Sequence, residues 1–230
     1  MALQISPSLG VLNLESGLSV WKPRDGSITN SATFGFPVIV ETVEGAWADV
    51  VIRGDSALAS ACIAASQRLI QRGATVITAN CGFFIRHQAA VAASVNVPVA
   101  LSSLLLVPTL LRLLQPAAKL AVVVADSTNF SEDLLGIDNP ADRARVVIGG
   151  IEGGKLLQNE MKRPPIPTED FEIERDVAAC VLRLRVAHPE IAAILFECTA
   201  FPRISSAIRQ LTGLPVYDIT TLCRITVASL

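Results

Sequence analysis

The sequence predicts an α/β fold with mainly parallel strands. Short runs rich in β-branched residues alternate with helix-length segments rich in alanine and leucine, the pattern of strands joined by crossover helices. Hydrophobic residues make up 51% of the 230 residues and aromatic residues only 5%, a balance typical of aliphatic helices packed on parallel strands. A chain of this length holds one large domain or two domains of about 100 residues each.

The elements follow in order along the chain. Eight segments have the composition of buried strands: residues 9–14, 37–43, 74–79, 97–101, 120–125, 145–148, 191–196 and 215–217. Helical spacing of apolar residues predicts the main helices: residues 55–72, 85–95, 104–114, 168–187, 202–211 and 220–228. Gly73 is expected to end the first of these helices, and Thr168 to cap the longest. The polar segment 15–36 is predicted to be irregular, either a lid over a binding site or a plain surface connector.

Charge and cysteine content argue against several classes of protein. The formal net charge is −2 and the basic residues are scattered, unlike the basic stripe of a nucleic-acid-binding protein. Pro98 and Pro108 interrupt the most apolar stretch, residues 97–114, which argues against a membrane span. The first residues lack a basic segment followed by a long apolar one, so no secretory signal is expected. Five cysteines without a CxxC pair favour reduced thiols in a cytoplasmic protein over a disulfide framework or a zinc site.

An internal repeat singles out two of the cysteines, Cys81 and Cys198. Shifting the sequence by 117 residues aligns residues 74–105 with residues 191–222 without a gap, and 8 of the 32 aligned pairs are identical. In both copies an apolar strand ends on a polar residue, a cysteine follows, and a helix leads to a second strand that begins at an aligned proline. The remaining cysteines are expected to be inert core residues: Cys62, Cys180 and Cys223.

The predicted position of Cys81 and Cys198 favours catalysis. Ligands of open parallel sheets bind beyond the carboxyl ends of the strands, where both cysteines are expected. A thiol just before a helix faces free backbone N–H groups, which favour the thiolate and bind a substrate carboxylate. Two pseudo-equivalent halves would present one thiol to each side of a shared cleft. One thiolate could then remove a proton while the opposing thiol delivers one to the other face.

The residues around the two cysteines resemble the paired motifs of the aspartate/glutamate/hydantoin racemase superfamily. The resemblance rests on the segments Ala79-Asn80-Cys81-Gly82-Phe83 and Glu197-Cys198-Thr199-Ala200. It implies two pseudo-symmetric α/β lobes, each a mainly parallel sheet flanked by helices, with the active site in the cleft between them. It also implies a cofactor-independent enzyme, without metal or pyridoxal phosphate, that forms a homodimer or a larger homo-oligomer.

The resemblance also implies roles for individual residues. Cys81 and Cys198 would be the catalytic acid/base pair. The residues expected to bind the substrate are Asn80, Gly82, Ser103, Glu197 and Thr199. Among these, the polar groups of Asn80, Ser103 and Thr199 would hold a substrate carboxylate. Glu197 would orient Cys198 or bind a substrate ammonium, or would simply cap neighbouring backbone.

The predicted function is that of a racemase or epimerase acting on an Asp/Glu-type amino acid or a related small carboxylate by 1,1-proton transfer. Residues 1–103 plus 213–230 are expected to form the lobe carrying Cys81, and residues 104–212 the lobe carrying Cys198. Three alternatives stay open: a cis/trans isomerase using one cysteine, a decarboxylase of the arylmalonate type, and a carboxylate-binding protein without turnover. Ala200 stands where amino-acid racemases commonly have Glu or His, which argues against glutamate as the substrate.

Overall fold

Two parallel four-stranded sheets organise the computed structural model, which describes residues 7–17 and 22–230. The first sheet is built from β1 (Leu9–Asn13), β2 (Val38–Thr42), β3 (Val76–Ala79) and β4 (Val99–Ala100), in the spatial order β2-β1-β3-β4. The second is built from β5 (Lys119–Val124), β6 (Val146–Gly150), β7 (Ile191–Phe196) and β8 (Val216–Tyr217), in the order β6-β5-β7-β8. The predicted two-lobed α/β fold is confirmed.

The two lobes repeat the same strand register. In the first sheet Ile77 pairs with Val99, and in the second Ile194 pairs with Val216. The same shift of 117 residues relates both partners, as it relates the two copies of the sequence repeat. The carboxyl ends of β3 and β7 are therefore equivalent places in the two lobes.

Helices flank both sheets. The α-helices are α1 (Ser31–Phe34), α2 (Ala48–Arg53), α3 (Leu58–Gln71), α4 (Gln88–Ser94), α5 (Val107–Leu113), α6 (Pro140–Arg143), α7 (Lys155–Glu160), α8 (Asp170–Ala187), α9 (Ser205–Thr212) and α10 (Ile219–Ala228). Short 3₁₀ helices span Gly82–His87, Ser103–Leu106, Glu132–Leu135 and Phe201–Ile204. Three helices predicted as continuous α-helices therefore begin with a 3₁₀ turn, at α4, α5 and α9. The short helices α1, α2, α6 and α7 lacked enough periodic apolar positions to be predicted.

Helix α3 shows how apolar spacing fixes an element. Leu58, Cys62, Ala65 and Leu69 recur at helical intervals and are buried against the first sheet. Gly73 follows the helix with a φ of +93°, a conformation that favours glycine and ends the helix as predicted.

The start of α8 differs from the expected cap at Thr168. The N-cap is Glu169, whose side chain accepts from the first turn while Glu172 reaches back to the Glu169 backbone, forming a capping box. The Thr168 hydroxyl instead accepts a hydrogen bond from the Asn159 side chain at 3.0 Å. Thr168 is thereby used to join α7 to the start of α8.

One apolar core joins the two lobes. A single cluster of buried residues includes Leu69 and Ile77 from the first lobe and Val122 and Leu195 from the second. Helix α10 packs its buried face on the far side of the first sheet. Strand β8 pairs with β7, so Val216 and Tyr217 belong to the second sheet, although residues 213–230 are predicted to lie in the first lobe.

The three other cysteines lie in the core. Cys62 and Cys223 are fully buried and Cys180 is 1% exposed. Burial raises the pKa of Cys62 and of Cys223 to about 12. These thiols are therefore packing residues. Across the described ranges, no helix has both the length and the apolar character needed to cross a membrane. The first six residues, where no secretory signal is expected, lie outside the described ranges.

Candidate active site

Cys81 and Cys198 occupy equivalent places at the carboxyl ends of β3 and β7. Cys81 has an extended backbone and directly precedes the 3₁₀ helix Gly82–His87. Cys198 lies two residues beyond the end of β7, shortly before the 3₁₀ helix Phe201–Ile204. The chain thus places both thiols at the sheet edge where parallel α/β proteins bind ligands.

A cavity of about 590 Å³ lies between the lobes, and both cysteines line it. Each cysteine is partly exposed, although protein atoms surround it closely. Asn80 and Thr199 also line this cavity, as do described parts of the loop predicted to be a lid, residues 15–17 and 22–24. Residues 18–21 of that loop lie outside the described ranges. Two of the five expected substrate-binding residues therefore face the cavity together with the thiols.

Both thiols are in surroundings that favour the neutral form. Burial raises the pKa of Cys81 and of Cys198 well above the usual value of 9.0, and the negative charge of Glu197 adds to the shift. The backbone N–H groups of Phe83 and Ala200 oppose it at Cys81 and Cys198, respectively. Each cysteine thus has an amide two residues further along the chain as its main stabilising group for the thiolate.

Asn80 and Thr199 join the two cysteine loops. The Thr199 hydroxyl donates a hydrogen bond to the Asn80 carbonyl oxygen across the cleft. The Asn80 side chain accepts from the Leu14 backbone N–H at 2.8 Å and donates to the Asn13 side chain. These contacts fix the loop before Cys81 against both β1 and the second lobe.

The Ser103 side chain makes a buried contact between the lobes. It is fully buried, and its hydroxyl donates to the Phe196 carbonyl oxygen at 2.6 Å. The bond links the end of the first sheet to the end of β7. Ser103 does not line the cavity.

Glu197 and Gly82 pack against each other behind the thiols. The Glu197 side chain is 1% exposed, and neither carboxyl oxygen has a hydrogen-bond partner in the described part of the chain. Burial raises the pKa of Glu197 to about 8, and the charge of Arg86 opposes this shift in part. A Cβ atom at Gly82 would lie 2.3 Å from both the carbonyl oxygen and Oε1 of Glu197. Only glycine leaves room for this contact between the lobes.

Five charged residues on the cavity wall were not predicted as site residues: Glu15, Lys22, Arg24, Glu160 and Arg203. Arg203 is aligned with Arg86 in the repeat, which was its only signal in the sequence. Glu160 ends α7, a helix that the sequence did not reveal. Within the described ranges, no group of three or more His, Cys, Asp or Glu side chains is arranged to hold a metal ion.

Two groups of known proteins resemble this chain, one by sequence and the other by fold. No family model matches the chain. A dimethylsulfoniopropionate lyase from Durusdinium sp. clade D is 30% identical over 220 residues, which cover 92% of this chain and 71% of that protein. Dimethylsulfoniopropionate lyase 3 from Emiliania huxleyi (strain CCMP1516) is 28% identical over 234 residues, which cover 97% of this chain and 60% of that protein. The chain thus spans 60–71% of the length of these two relatives.

Solved structures share the fold at low sequence identity. Allantoin racemase from Klebsiella pneumoniae matches with a TM-score of 0.67 and 12% identity, covering 98% of this chain and 87% of that one. Unliganded arylmalonate decarboxylase matches with a TM-score of 0.54 and 17% identity, covering 92% of this chain and 87% of that one. These likenesses concern the fold and not the reaction.

The racemase or epimerase activity expected from the sequence, and with it the isomerase class, is wrong, because the relatives at 28–30% identity are named lyases. The paired cysteines could not decide between the two classes, since removal of a proton next to a carboxylate can begin either kind of reaction. The chain belongs to the dimethylsulfoniopropionate lyase family and has the fold of the aspartate/glutamate/hydantoin racemase superfamily.

Proposed function

We propose that this chain cleaves dimethylsulfoniopropionate by β-elimination, with a thiolate of the Cys81–Cys198 pair as the base. The observation that carries the proposal is the pair of equivalent thiols lining one cavity in a chain of this family. Small carboxylates are the substrate class expected for such a cavity. The name of the relatives narrows this class to a propionate that bears a dimethylsulfonium group.

The reaction needs one proton transfer and one bond cleavage. A thiolate removes a proton from the carbon next to the substrate carboxylate. The electrons of that C–H bond form the double bond between carbons 2 and 3, and the electrons of the C–S bond leave with sulfur. The products are acrylate, neutral dimethyl sulfide and one proton, which the thiol then releases. No redox cofactor is needed to balance these steps.

The surroundings of the thiols support this chemistry. Removal of the proton places negative charge on the substrate carboxylate, which nearby N–H groups can stabilise. The backbone N–H groups of Phe83 and Ala200, next to Cys81 and Cys198, are the groups we propose for this task. The second thiol of the pair, in its neutral form, is a further hydrogen-bond donor to the substrate carboxylate.

The remaining predicted site residues receive different proposed roles. Asn80 and Thr199 line the cavity and are proposed to shape the carboxylate-binding wall. Gly82, Ser103 and Glu197 are proposed to position the cysteine loops from behind, since their side chains or Cα atoms are buried away from the cavity.

Product analysis tests the substrate assignment. The purified protein is incubated with dimethylsulfoniopropionate, while gas chromatography measures dimethyl sulfide and proton NMR measures acrylate. Equal amounts of the two products are expected. Absence of dimethyl sulfide, with the protein folded and the substrate intact, would overturn the proposal.

We further propose that the enzyme is a cytoplasmic homo-oligomer. The resemblance to the racemase superfamily suggests self-association, and the unpaired cysteines suit a reducing compartment. Light scattering on the purified protein tests the first part, with a single-chain mass of 24.4 kDa as the contradicting result.

A further inference from the structure

The cavity wall carries three cationic side chains: Lys22, which is exposed, and Arg24 and Arg203, which have anionic partners. Arg24 pairs with Glu169 at 2.7 Å and with Asp170 at 3.5 Å. Arg203 pairs with Asp170 and donates to the Thr168 carbonyl oxygen at 3.0 Å. Neither guanidinium therefore needs a ligand to balance its charge.

Glu160 differs from these residues. It is the last residue of α7, is half-buried and lines the same cavity. Within the described ranges its carboxylate makes neither a hydrogen bond nor an ion pair. Burial raises the pKa of Glu160, and the charge of Arg203 offsets this shift only in part. A carboxylate in such surroundings is costly to ionise unless a cation joins it.

Glu160 influences both thiols electrostatically. Its negative charge raises the pKa of both Cys81 and Cys198. Glu160 and both thiols lie on the wall of one cavity, so the carboxylate faces the space that a bound substrate would occupy. Apolar side chains lie next to it on the wall, among them Leu156 and Leu157.

We propose that Glu160 binds the dimethylsulfonium group of the substrate, an inference that rests on the proposed lyase function. A sulfonium has a positive charge but no N–H or O–H group, so a carboxylate and apolar contacts to its methyl groups are the matching surface. The described lining contains no aromatic ring that could bind the cation through its π face. The other carboxylate on the lining, Glu15, already accepts a hydrogen bond from the Gly17 backbone N–H at 3.0 Å.

The chemistry predicts which kinetic constant depends on Glu160. Sulfur loses its positive charge as the C–S bond breaks, so Glu160 stabilises the bound substrate more than it stabilises the transition state. Loss of the carboxylate should therefore raise KM with little loss of kcat. Glu160 is thus proposed as a specificity residue for the cationic end of the substrate.

The test compares Glu160→Gln with the wild type on two ligands of the same shape. One is dimethylsulfoniopropionate; the other is 4-methylpentanoate, in which carbon replaces the charged sulfur. In Glu160→Gln, KM for the sulfonium should rise at least about 10-fold, while inhibition by 4-methylpentanoate should not weaken. The matched control is Glu174→Gln, which removes one negative charge from the exposed surface of α8 and should leave both values unchanged.

The outcomes separate this inference from the proposed function. If Glu160→Gln releases dimethyl sulfide with an unchanged KM, the sulfonium assignment alone is overturned. The same holds if the substitution weakens the binding of dimethylsulfoniopropionate and of 4-methylpentanoate equally. Calorimetric binding of the sulfonium that depends on Glu160, without dimethyl sulfide release, would support the cation site and overturn the lyase. Neither binding nor release by the wild type would overturn both.

Discussion

The Thr199 hydroxyl donates a hydrogen bond to the Asn80 carbonyl oxygen, which connects the two loops that carry the cysteines. Thr199 follows Cys198 directly, and Asn80 directly precedes Cys81. The bond therefore ties the position of one thiol to that of the other. In the proposed reaction, both thiols must face the same substrate, so this contact sets their relative position.

Thr199→Val should impair catalysis more than stability. Valine keeps the shape of threonine but removes the hydroxyl, so the loops lose one mutual hydrogen bond. We expect the free energy of unfolding to fall by about 1 kcal/mol and kcat for dimethyl sulfide release to fall by a larger factor than that energy alone would give. Urea unfolding and dimethyl sulfide assays measure the two effects.

Thr226→Val is the matched control for that change. The Thr226 hydroxyl donates within its own helix, to the Leu222 carbonyl oxygen at 2.8 Å, far from the cysteine loops. The control should retain wild-type kcat. Equal losses of kcat in the two variants would contradict the role given to Thr199.

Gly82→Ala should disrupt the contact between the lobes. The added Cβ would lie 2.3 Å from the Glu197 carbonyl oxygen, a backbone atom that cannot swing aside. We expect a loss of about 1–3 kcal/mol in the free energy of unfolding and a strong fall in activity. Gly136→Ala is the comparison, since Gly136 has a φ of +63° but nothing within 4 Å of the added atom. If Gly82→Ala were as stable and as active as the wild type, the packing described between Gly82 and Glu197 would be incorrect.

Much of the fold could be predicted because long segments carry clear periodic signals. The buried positions of α3 recur at helical spacing, and β3, β5 and β7 are continuous apolar runs. The repeat around Cys81 and Cys198 predicts two equivalent lobes. Short helices such as α7 have too few residues to show a period. Glu160, at the end of α7, was missed for that reason.

Some of the predicted binding residues line the cavity, and others make buried contacts inside the protein. Asn80 and Thr199 line the cavity, whereas the sequence could not show that the Ser103 hydroxyl donates to the Phe196 carbonyl oxygen in the other lobe. Such contacts depend on how the lobes pack, which no local pattern records. The reaction could not be predicted from the sequence either, because paired cysteines are compatible with both racemisation and elimination.

Stability should depend on pH through Glu197. Its pKa is about 8 in the folded protein, against a usual value of 4.5. Between these values the folded state holds a proton that the unfolded state has released, so the free energy of unfolding should fall as pH rises from about 4.5 to about 8. Glu197→Gln cannot titrate and should lose this part of the pH dependence. Urea midpoints at three pH values measure it, and an identical dependence in both proteins would refute the buried, protonated state.

Activity should rise with pH. The proposed base is a thiolate, and burial holds the pKa of Cys81 and of Cys198 above the usual 9.0, so only a small fraction is ionised near neutrality. We expect kcat/KM to increase from about pH 7 to the limit of protein stability, by up to about 10-fold per pH unit. A profile that falls over this range would argue against a thiolate base.

Single substitutions of Cys81 and Cys198 test whether the paired cysteines perform the elimination. Dimethyl sulfide release is measured for Cys81→Ser, Cys198→Ser and the control Cys180→Ala, which removes a core thiol that is 1% exposed. We predict that each serine variant loses activity on the order of 100- to 10,000-fold while the control retains it. Full activity in either serine variant would contradict a reaction that needs both thiols.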